Sequence, residues 1–317
     1  MLVGPSGKPV ASVVVPAYKS KATIVGCLDA LVRQEGDPAY EVIVVESSGD
    51  GAGDLVRARF PGVRVIESGE RLFAGRARNR GAEEASGELL LFIDSDCIAE
   101  PSWLAKMHRA HRERECAGVA GSILNANPES PISVSSYMTE MSDFYPCGRP
   151  AYRKFLCSGN VSYKADVFRK HGGFDPRVAL YEDVELTKRM YRAGEKLLFD
   201  PDIRVSHFHR TGFREYYAYE FRRGRGGAIA RRNGALMGAS WVKYPPLGFL
   251  AAPGLLLRKG TVFPCRMLRA YPGDSLRMIR ALPYFYAALL VWVSGFLYEV
   301  VTGRESAKCR TDSDIKW

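Results

Sequence analysis

Along the first 124 residues the apolar positions switch between two periods. The short runs "SVVVPAY" (12–18) and "EVIVVES" (41–47) predict buried strands, and "VRVIES" (63–68) and "ELLLFIDSD" (88–96) a third and a fourth strand, nearly continuous in their apolar residues. Between them Ile24, Leu28, Leu31 and Val32 fall at helical spacing within 20–34, and residues 54–60 and 75–86 suit helices. Strands alternating with helices predict an α/β fold with a mostly parallel sheet flanked by helices. Such sheets bind ligands in the crevice beyond the carboxyl ends of their strands. From 125 to about 205 Pro, Ser and Gly interrupt the pattern; helices are expected near 134–143, 164–171 and 182–193, and a short strand at 196–199. After 210 the chain turns basic and aromatic, then markedly apolar.

The stretch "ALPYFYAALLVWVSGFLYEVV" (281–301) is apolar except for Ser294, Gly295 and Glu299, and it meets the roughly 20 residues needed to cross a bilayer as a helix. Tyr284, Tyr286 and Tyr298 lie near its ends, and Arg280 and Arg304 flank it. "PPLGFLAAPGLLL" (245–257) is shorter and broken by Pro and Gly, and a connector carrying Arg258, Lys259, Arg266, Arg269, Arg277 and Arg280 joins the two. Two full crossings would place that connector away from the cytosol, against the positive-inside tendency. The expectation is an in-plane or re-entrant first segment, with 281–301 spanning, lying in the interface, or packed as a buried helix or dimer contact.

Composition narrows the class. The 317 residues are 46% hydrophobic and 25% charged, which excludes a disordered chain. A formal charge of +10 favours anionic partners. The seven cysteines (27, 97, 116, 147, 157, 265 and 309) form no C-x-x-C pair and no zinc spacing, as in a reduced cytosolic protein, and the first ten residues lack a signal peptide's apolar stretch.

Candidate chemistry collects at predicted strand and helix ends. Asp94 and Asp96 end the fourth strand; in an extended segment residues i and i+2 share a side, so one hard dication could engage both. A structural turn explains the pair as well. Glu46 ends the second strand, where a carboxylate could contact a base or ribose. "FAGRARNRGAEEASGE" (73–88) sets Arg76, Arg78 and Arg80 near a helix start. "LYEDVELTKRMYRAG" (180–194) opens a helix with Glu182, Asp183 and Glu185, either as dipole complements or with one carboxylate as a general base. In "HFHR", His207 and His209 could bind metal or phosphate.

In this order, over roughly residues 12 to 227, these segments resemble the family 2 (GT-A fold) nucleotide-sugar glycosyltransferases. "SVVVPAYKS" is similar to the family's opening strand, "VVESSGDGAGD" to its acidic base-binding loop, and "GRARNRGAEEASGELLLFIDSD" to its basic helix and D-x-D strand. "CSGNVSYKADVFRKHGGFD" (157–175) resembles the segment lining the donor sugar and acceptor, "YEDVELTKRMYRAG" the E-D helix, and "VSHFHRTGFREYYAYEFRRGRGG" the His- and Arg-rich element after it. The resemblance implies a GT-A (Rossmann-like) catalytic domain over 1–235, with a nucleotide-binding half at 10–124 and an acceptor half at 125–235. A basic, apolar helical region at 236–317 would serve membrane association or oligomerisation.

Roles follow by the same resemblance. Asp96, with Asp94, would hold Mg²⁺ or Mn²⁺ on the diphosphate, with His207 a further ligand and His209 its competitor. Pro16, Ala17, Tyr18 and Glu46 would line the nucleotide site, and Arg78, Arg222 and Arg223 would balance diphosphate charge. Gly159 and Asn160 would meet the acceptor. Asp183 would be the catalytic base, with Glu182 beside it. The implied activity is inverting transfer from a UDP-, GDP- or dTDP-linked sugar to a glycan or lipid-linked hydroxyl, at the cytoplasmic face of a membrane. One departure stands out: the family usually has Asp where this chain has Glu46, and often an acidic or Asn residue where it has Ser47. A nucleotidyltransferase, the alternative enzyme, would need glycines that "VVVPAYKSKAT" lacks. A nucleic-acid binder is suggested by "FREYYAYEFRRGRGGAIARR", but acidic cleft motifs would repel a phosphate backbone, so no nucleic acid is expected.

Overall fold

In the computed structural model, which describes residue 2, residues 9–36 and residues 38–303, each of the four N-terminal runs becomes a strand of one sheet, three of them buried and the third a partly exposed edge. β1 (Ala11–Ala17), α1 (Ile24–Val32), β2 (Tyr40–Glu46), α2 (Ala52–Arg59), β3 (Arg64–Glu67), α3 (Ala74–Glu83) and β4 (Leu89–Ile93) alternate as the periodicity predicts. There follow β5 (Cys97–Ala99), α4 (Trp103–Glu113), β6 (Gly118–Asn125), α5 (Pro131–Met141), β7 (Ala151–Tyr152), β8 (Asn160–Lys164), α6 (Ala165–Lys170), α7 (Glu182–Arg192) and β9 (Leu197–His207). The chain closes with α8 (Phe213–Arg232), α9 (Ala239–Lys243), α10 (Pro245–Ala270) and α11 (Ser275–Thr302).

The described residues fall into two compact units. The first lies within Met1–Leu124, Gly148–Pro176 and Glu182–His207, and the second within Asn125–Cys147, Arg177–Tyr181 and Phe208–Trp317.

The first unit is built on a nine-stranded sheet of order β3-β2-β1-β4-β8-β6-β9-β5, with β7 beside β9. β3, β2, β1 and β4 run parallel, while β8 lies antiparallel to both β4 and β6, and β9 antiparallel to β5 and β7. The parallel half matches the sequence pattern; the antiparallel half adds strands the pattern did not separate. β9 also runs to His207, well past the expected 196–199, because Pro201 is carried inside the strand where a proline ordinarily argues for a stop. A core cluster runs beneath both halves, from β1, β2 and β4 to β6, β8 and β9, and within it Phe92 of β4 meets Phe168, Phe174 and Tyr163 at ring separations of 5.3, 5.4 and 6.2 Å.

The second unit is helical. α10 is one continuous helix through Pro253, Gly254 and Pro264, so the interruption expected within 245–257 does not occur. An interior proline costs about 3 kcal/mol, which packing along the rest of a 26-residue helix can absorb. Among the described residues α11 is the one helix long and apolar enough to cross a membrane, and half of its most apolar window is buried within the protein. Its only carboxylate, Glu299, is 1% exposed and accepts from Arg225 (3.1 and 3.2 Å) and Arg232 (3.1 Å) of α8. The two helices approach closely because both carry glycine at the crossing. A Cβ at Gly224 would run into the Trp292 carbonyl oxygen, and one at Gly295 into that of Phe221.

This crossing reverses an ordinary sign. In a free helix Gly→Ala stabilises by about 1 kcal/mol; here Gly224→Ala is expected to lower stability by about 1–3 kcal/mol through overpacking. Urea denaturation of the variant checks it, and a stabilised variant would refute the close crossing.

Candidate active site

Polar residues gather at the carboxyl edge of the parallel strands. Register sets Ala17 at the end of β1 beside Glu46 at the end of β2, and Asp94 follows directly on Ile93 of β4. α3 brings Arg78 beneath this edge, 2% exposed. Its Nη1 donates to Glu182 Oε1 at 2.8 Å and its Nη2 to Asp94 Oδ1 at 2.6 Å. The guanidinium lies 5.6 Å from the Phe174 ring centre, so the aromatic core supports it from below. Arg78 is thus committed to two carboxylates that stand 88 residues apart in sequence.

Asp183 follows Glu182 at the start of α7. Its Oδ2 accepts from the Ser158 backbone N–H at 3.2 Å, and Oδ1 from its own helix at Val184 N–H, 2.8 Å. Burial raises both carboxyls. Glu182 is pushed up to about 7 by burial and then by the charge of Asp183, against the pull of Arg78. Asp183 is raised by burial, against the hydrogen bond from Ser158 and the charge of Arg78. Since the folded value of Glu182 exceeds the unfolded 4.5, its contribution to stability is fully present below about 4.5 and is lost as pH rises through about 7.

The chain does not stay extended after β4. Residues 95 and 96 form a turn closed by the Cys97 N–H on the Asp94 carbonyl at 3.0 Å, so the segment is not the extended D-x-D that the sequence predicts. Asp94 faces Arg78. Asp96 faces His207, whose Nε2 lies 3.3 Å from Oδ1. β5 and β9 explain this pairing, because Cys97 and His207 are directly opposed across the ladder. Ligand atoms of Asp96, Cys97 and His207 lie within 4.8 Å of one another. Two ligands at right angles on an ion about 2.1 Å away stand about 3 Å apart, so the Asp96–His207 spacing suits Mg²⁺ or Mn²⁺. The Cys97 thiol is soft and pushed well up by burial, then by Asp96 and Asp94, which fits a hard ion less well.

The remaining predicted residues are placed as follows. Pro16 and Ala17 close β1, and Tyr18, 38% exposed, has the Arg71 guanidinium 4.6 Å from its ring centre. Glu46 is buried and turned into its own loop, where it accepts from Ser48 N–H at 2.6 Å, the Ser48 hydroxyl and Gly49 N–H at 3.2 Å. Gly159 abuts Asp94, since an added Cβ would meet Oδ2 at 3.0 Å. Asn160 is wholly buried: it accepts from the Trp103 indole at 2.8 Å and donates to the Ser122 and Ile203 carbonyls at 2.9 and 3.1 Å, a task inside the sheet and not at its surface. His209, Arg222 and Arg223 belong to the second unit, where His209 packs on Tyr137 at 5.3 Å and Arg223 pairs with Glu220 at 2.7 Å. Arg71 and the Ser158 amide escaped sequence reasoning. Ser158 sits in the quoted CSGN segment, whereas nothing local marks Arg71.

The sequence profile of "Glycosyl transferase family 2" matches residues 12–172. The chain is 28% identical over 223 residues to glycosyltransferase AglE of Haloferax volcanii, covering 69% of this chain and 73% of that protein. It is 24% identical over 224 residues to the O-antigen chain rhamnosyltransferase WbaN of Salmonella anatum, covering 66% and 70%. Among solved structures, the mannosyltransferase PcManGT of Pyrobaculum calidifontis in complex with GDP-Man and Mn²⁺ superposes with a TM-score of 0.60 at 18% identity, over 95% of this chain and 89% of that one.

Removing the cation from a buried ion triad strands two carboxylates. Arg78→Met is expected to cost about 3–5 kcal/mol, read by urea denaturation at neutral pH. A variant as stable as the wild type would show that Arg78 does not organise the site.

Proposed function

The chain belongs to glycosyl transferase family 2, and on that premise we propose that it transfers a sugar from a nucleoside-diphosphate donor to a hydroxyl of an envelope or lipid-linked glycan, inverting the anomeric carbon. The observation that carries this reading is the convergence of Asp183, raised by burial, with the Arg78-bound Asp94 and the Asp96–His207 pair. The O-antigen activity named for WbaN and the GDP-Man bound to the similarly folded PcManGT support the substrate class.

The residues divide the work. Tyr18, with Arg71 on its ring, offers an aromatic face for the nucleotide base, and Glu46 holds the neighbouring loop 48–49 in place. Asp96 and His207 would hold Mg²⁺ or Mn²⁺, whose chemistry there is neutralisation of charge on the departing diphosphate. Asp183 accepts the acceptor hydroxyl's proton while the oxygen bonds to the anomeric carbon. The carbon–oxygen bond to the diphosphate breaks, and the nucleoside diphosphate leaves with the electron pair. Arg78 acts as a positioning residue, keeping Glu182 and Asp94 from repelling each other beside the base. The enzyme works peripherally at the cytoplasmic face of a membrane, held by its second unit.

Asp183→Asn is expected to keep the wild-type melting temperature and lose about 10²–10⁴-fold in kcat; full turnover would remove Asp183 from the role. Because a base must be ionised to act and burial raises this one, kcat/KM should fall with acid at a pH above the ordinary Asp value of about 3.9. A pH–rate profile with its acid limb at or below that value would contradict the assignment. Asp96→Ala should abolish the strengthening of UDP or GDP binding by Mn²⁺ in calorimetry. Equal Mn²⁺ dependence in variant and wild type would exclude Asp96 as a ligand.

A further inference from the structure

The second unit contains a cationic interior that the transfer chemistry does not use. Residues 221–273 hold ten Lys or Arg and no Asp or Glu. Within that span the Lys259 ammonium faces the Trp292 ring at 3.6 Å, Trp292 stacks on Phe296 at 5.8 Å, and the Arg231 guanidinium lies 5.5 Å from the Phe296 ring. Arg258 and Arg223 add their charges to the same neighbourhood. The carboxylates that face these four cations are Glu220, whose Oε1 already accepts from Arg223 at 2.7 Å and Thr139 at 2.9 Å, and Glu140, which bears on Arg223 and also accepts from Arg210 at 3.4 Å. Glu220 Oε2 is buried without a partner, as are two donors, Arg231 Nε and the Trp292 indole N–H, among the described residues. Burial and then Arg223 pull the Lys259 ammonium down to about 7, which is the mark of a cation short of counter-charge.

A low-dielectric neighbourhood with surplus cations and unfilled donors is stabilised by an anion with several acceptor oxygens. The surface around it is not that of a soluble anion site. α10 turns Leu250 and Leu257 outward at 77% and 71% exposure, and α11 turns out Leu276 and Leu290, each at 60%. Along α11 the outward positions Ile279, Pro283, Tyr286, Leu290, Ser294 and Tyr298 recur at helical spacing without a charge. An uncharged helical face beside a basic cluster lies in the plane of a lipid surface.

We propose that Arg231, Arg258 and Lys259 seat the phosphate or diphosphate of a membrane lipid, with the outward stripes of α10 and α11 resting among its neighbours. That this lipid is the carrier of the glycan acceptor rests on the transferase reading above; the site itself does not.

Flotation of the full chain, without any sugar donor, tests the site. The vesicles are phosphatidylcholine alone, phosphatidylcholine with phosphatidylserine, and phosphatidylcholine with phosphatidic acid at matched surface charge. Wild type is expected to bind the phosphatidic acid vesicles at least about tenfold more tightly than the phosphatidylserine ones. Lys259→Met and the exposed Arg258→Met should lose that preference yet still float with phosphatidylserine. Equal binding to the two anionic vesicles, or an unchanged preference in a folded variant, overturns the proposal. Arg258→Met alone decides if Lys259→Met does not fold. Inorganic pyrophosphate is the soluble probe: if it raises the melting temperature while phosphatidic acid gains nothing over phosphatidylserine, the ligand is a free phosphate and the lipid assignment fails. Because no arm measures transfer, an inactive but phosphatidic acid-selective protein would refute the transferase reading and leave this one standing.

Discussion

A buried guanidinium between two carboxylates is the constraint on which the first unit's site depends. Arg78 can be excluded from water only because Asp94 and Glu182 accept from it and Phe174 lies beneath it. The converse holds as well. Glu182 is buried and Asp183 next to it half-buried, and without the cation their mutual repulsion would leave both neutral or force the start of α7 away from the strand end. The triad joins α3 and the end of the next element, β4, to α7, which follows 104 residues after Arg78. Asp183 beside it is raised by burial, against the charge of Arg78.

The sheet supplies its two halves to different ends. Parallel β1, β2 and β4 bring Ala17, Glu46 and Asp94 to one edge, as parallel strands must when their carboxyl ends face the same way. The antiparallel half supplies what that edge lacks. β9 runs back along β5 so that its last residue, His207, lands opposite Cys97 and beside Asp96. β8, wedged between β4 and β6, starts just after the Ser158 amide that binds Asp183. Asn160 stabilises that start from within by tying Trp103, Ser122 and Ile203 together.

The second unit follows a different economy of charge. Its one deeply placed acid in α11, Glu299, is matched by two arginines of α8, and paired glycines let the helices come close enough to do it. Elsewhere in the unit cations outnumber acids, and the outward helical faces are apolar. A helix apolar enough to span a bilayer is here partly occupied with protein contacts, half of its most apolar window being buried.

What the sequence determined by itself was everything carried by local period and local chemistry. The apolar runs of β1, β2 and β4, the short edge strand β3 and the helical spacing of α1 to α3 were legible because burial of a strand or of one helical stripe leaves its mark within a few residues. So were the positions of Asp94, Asp96, Glu182, Asp183 and His207 at element ends, and the family to which their order belongs. The tertiary structure alone decided which of these groups meet. Asp94 and Asp96, two residues apart in the motif, take different partners, Arg78 for the first and His207 for the second. Arg78 reads as a surface cation in its helix and is buried because Phe174 and Glu182, roughly a hundred residues later, close over it. Glu46 spends its extra methylene reaching its own loop, and Asn160 disappears into the sheet. Strand direction beyond β4 and the continuity of α10 through its prolines were hidden for the same reason: each is set by contacts between distant segments, and no local pattern records them.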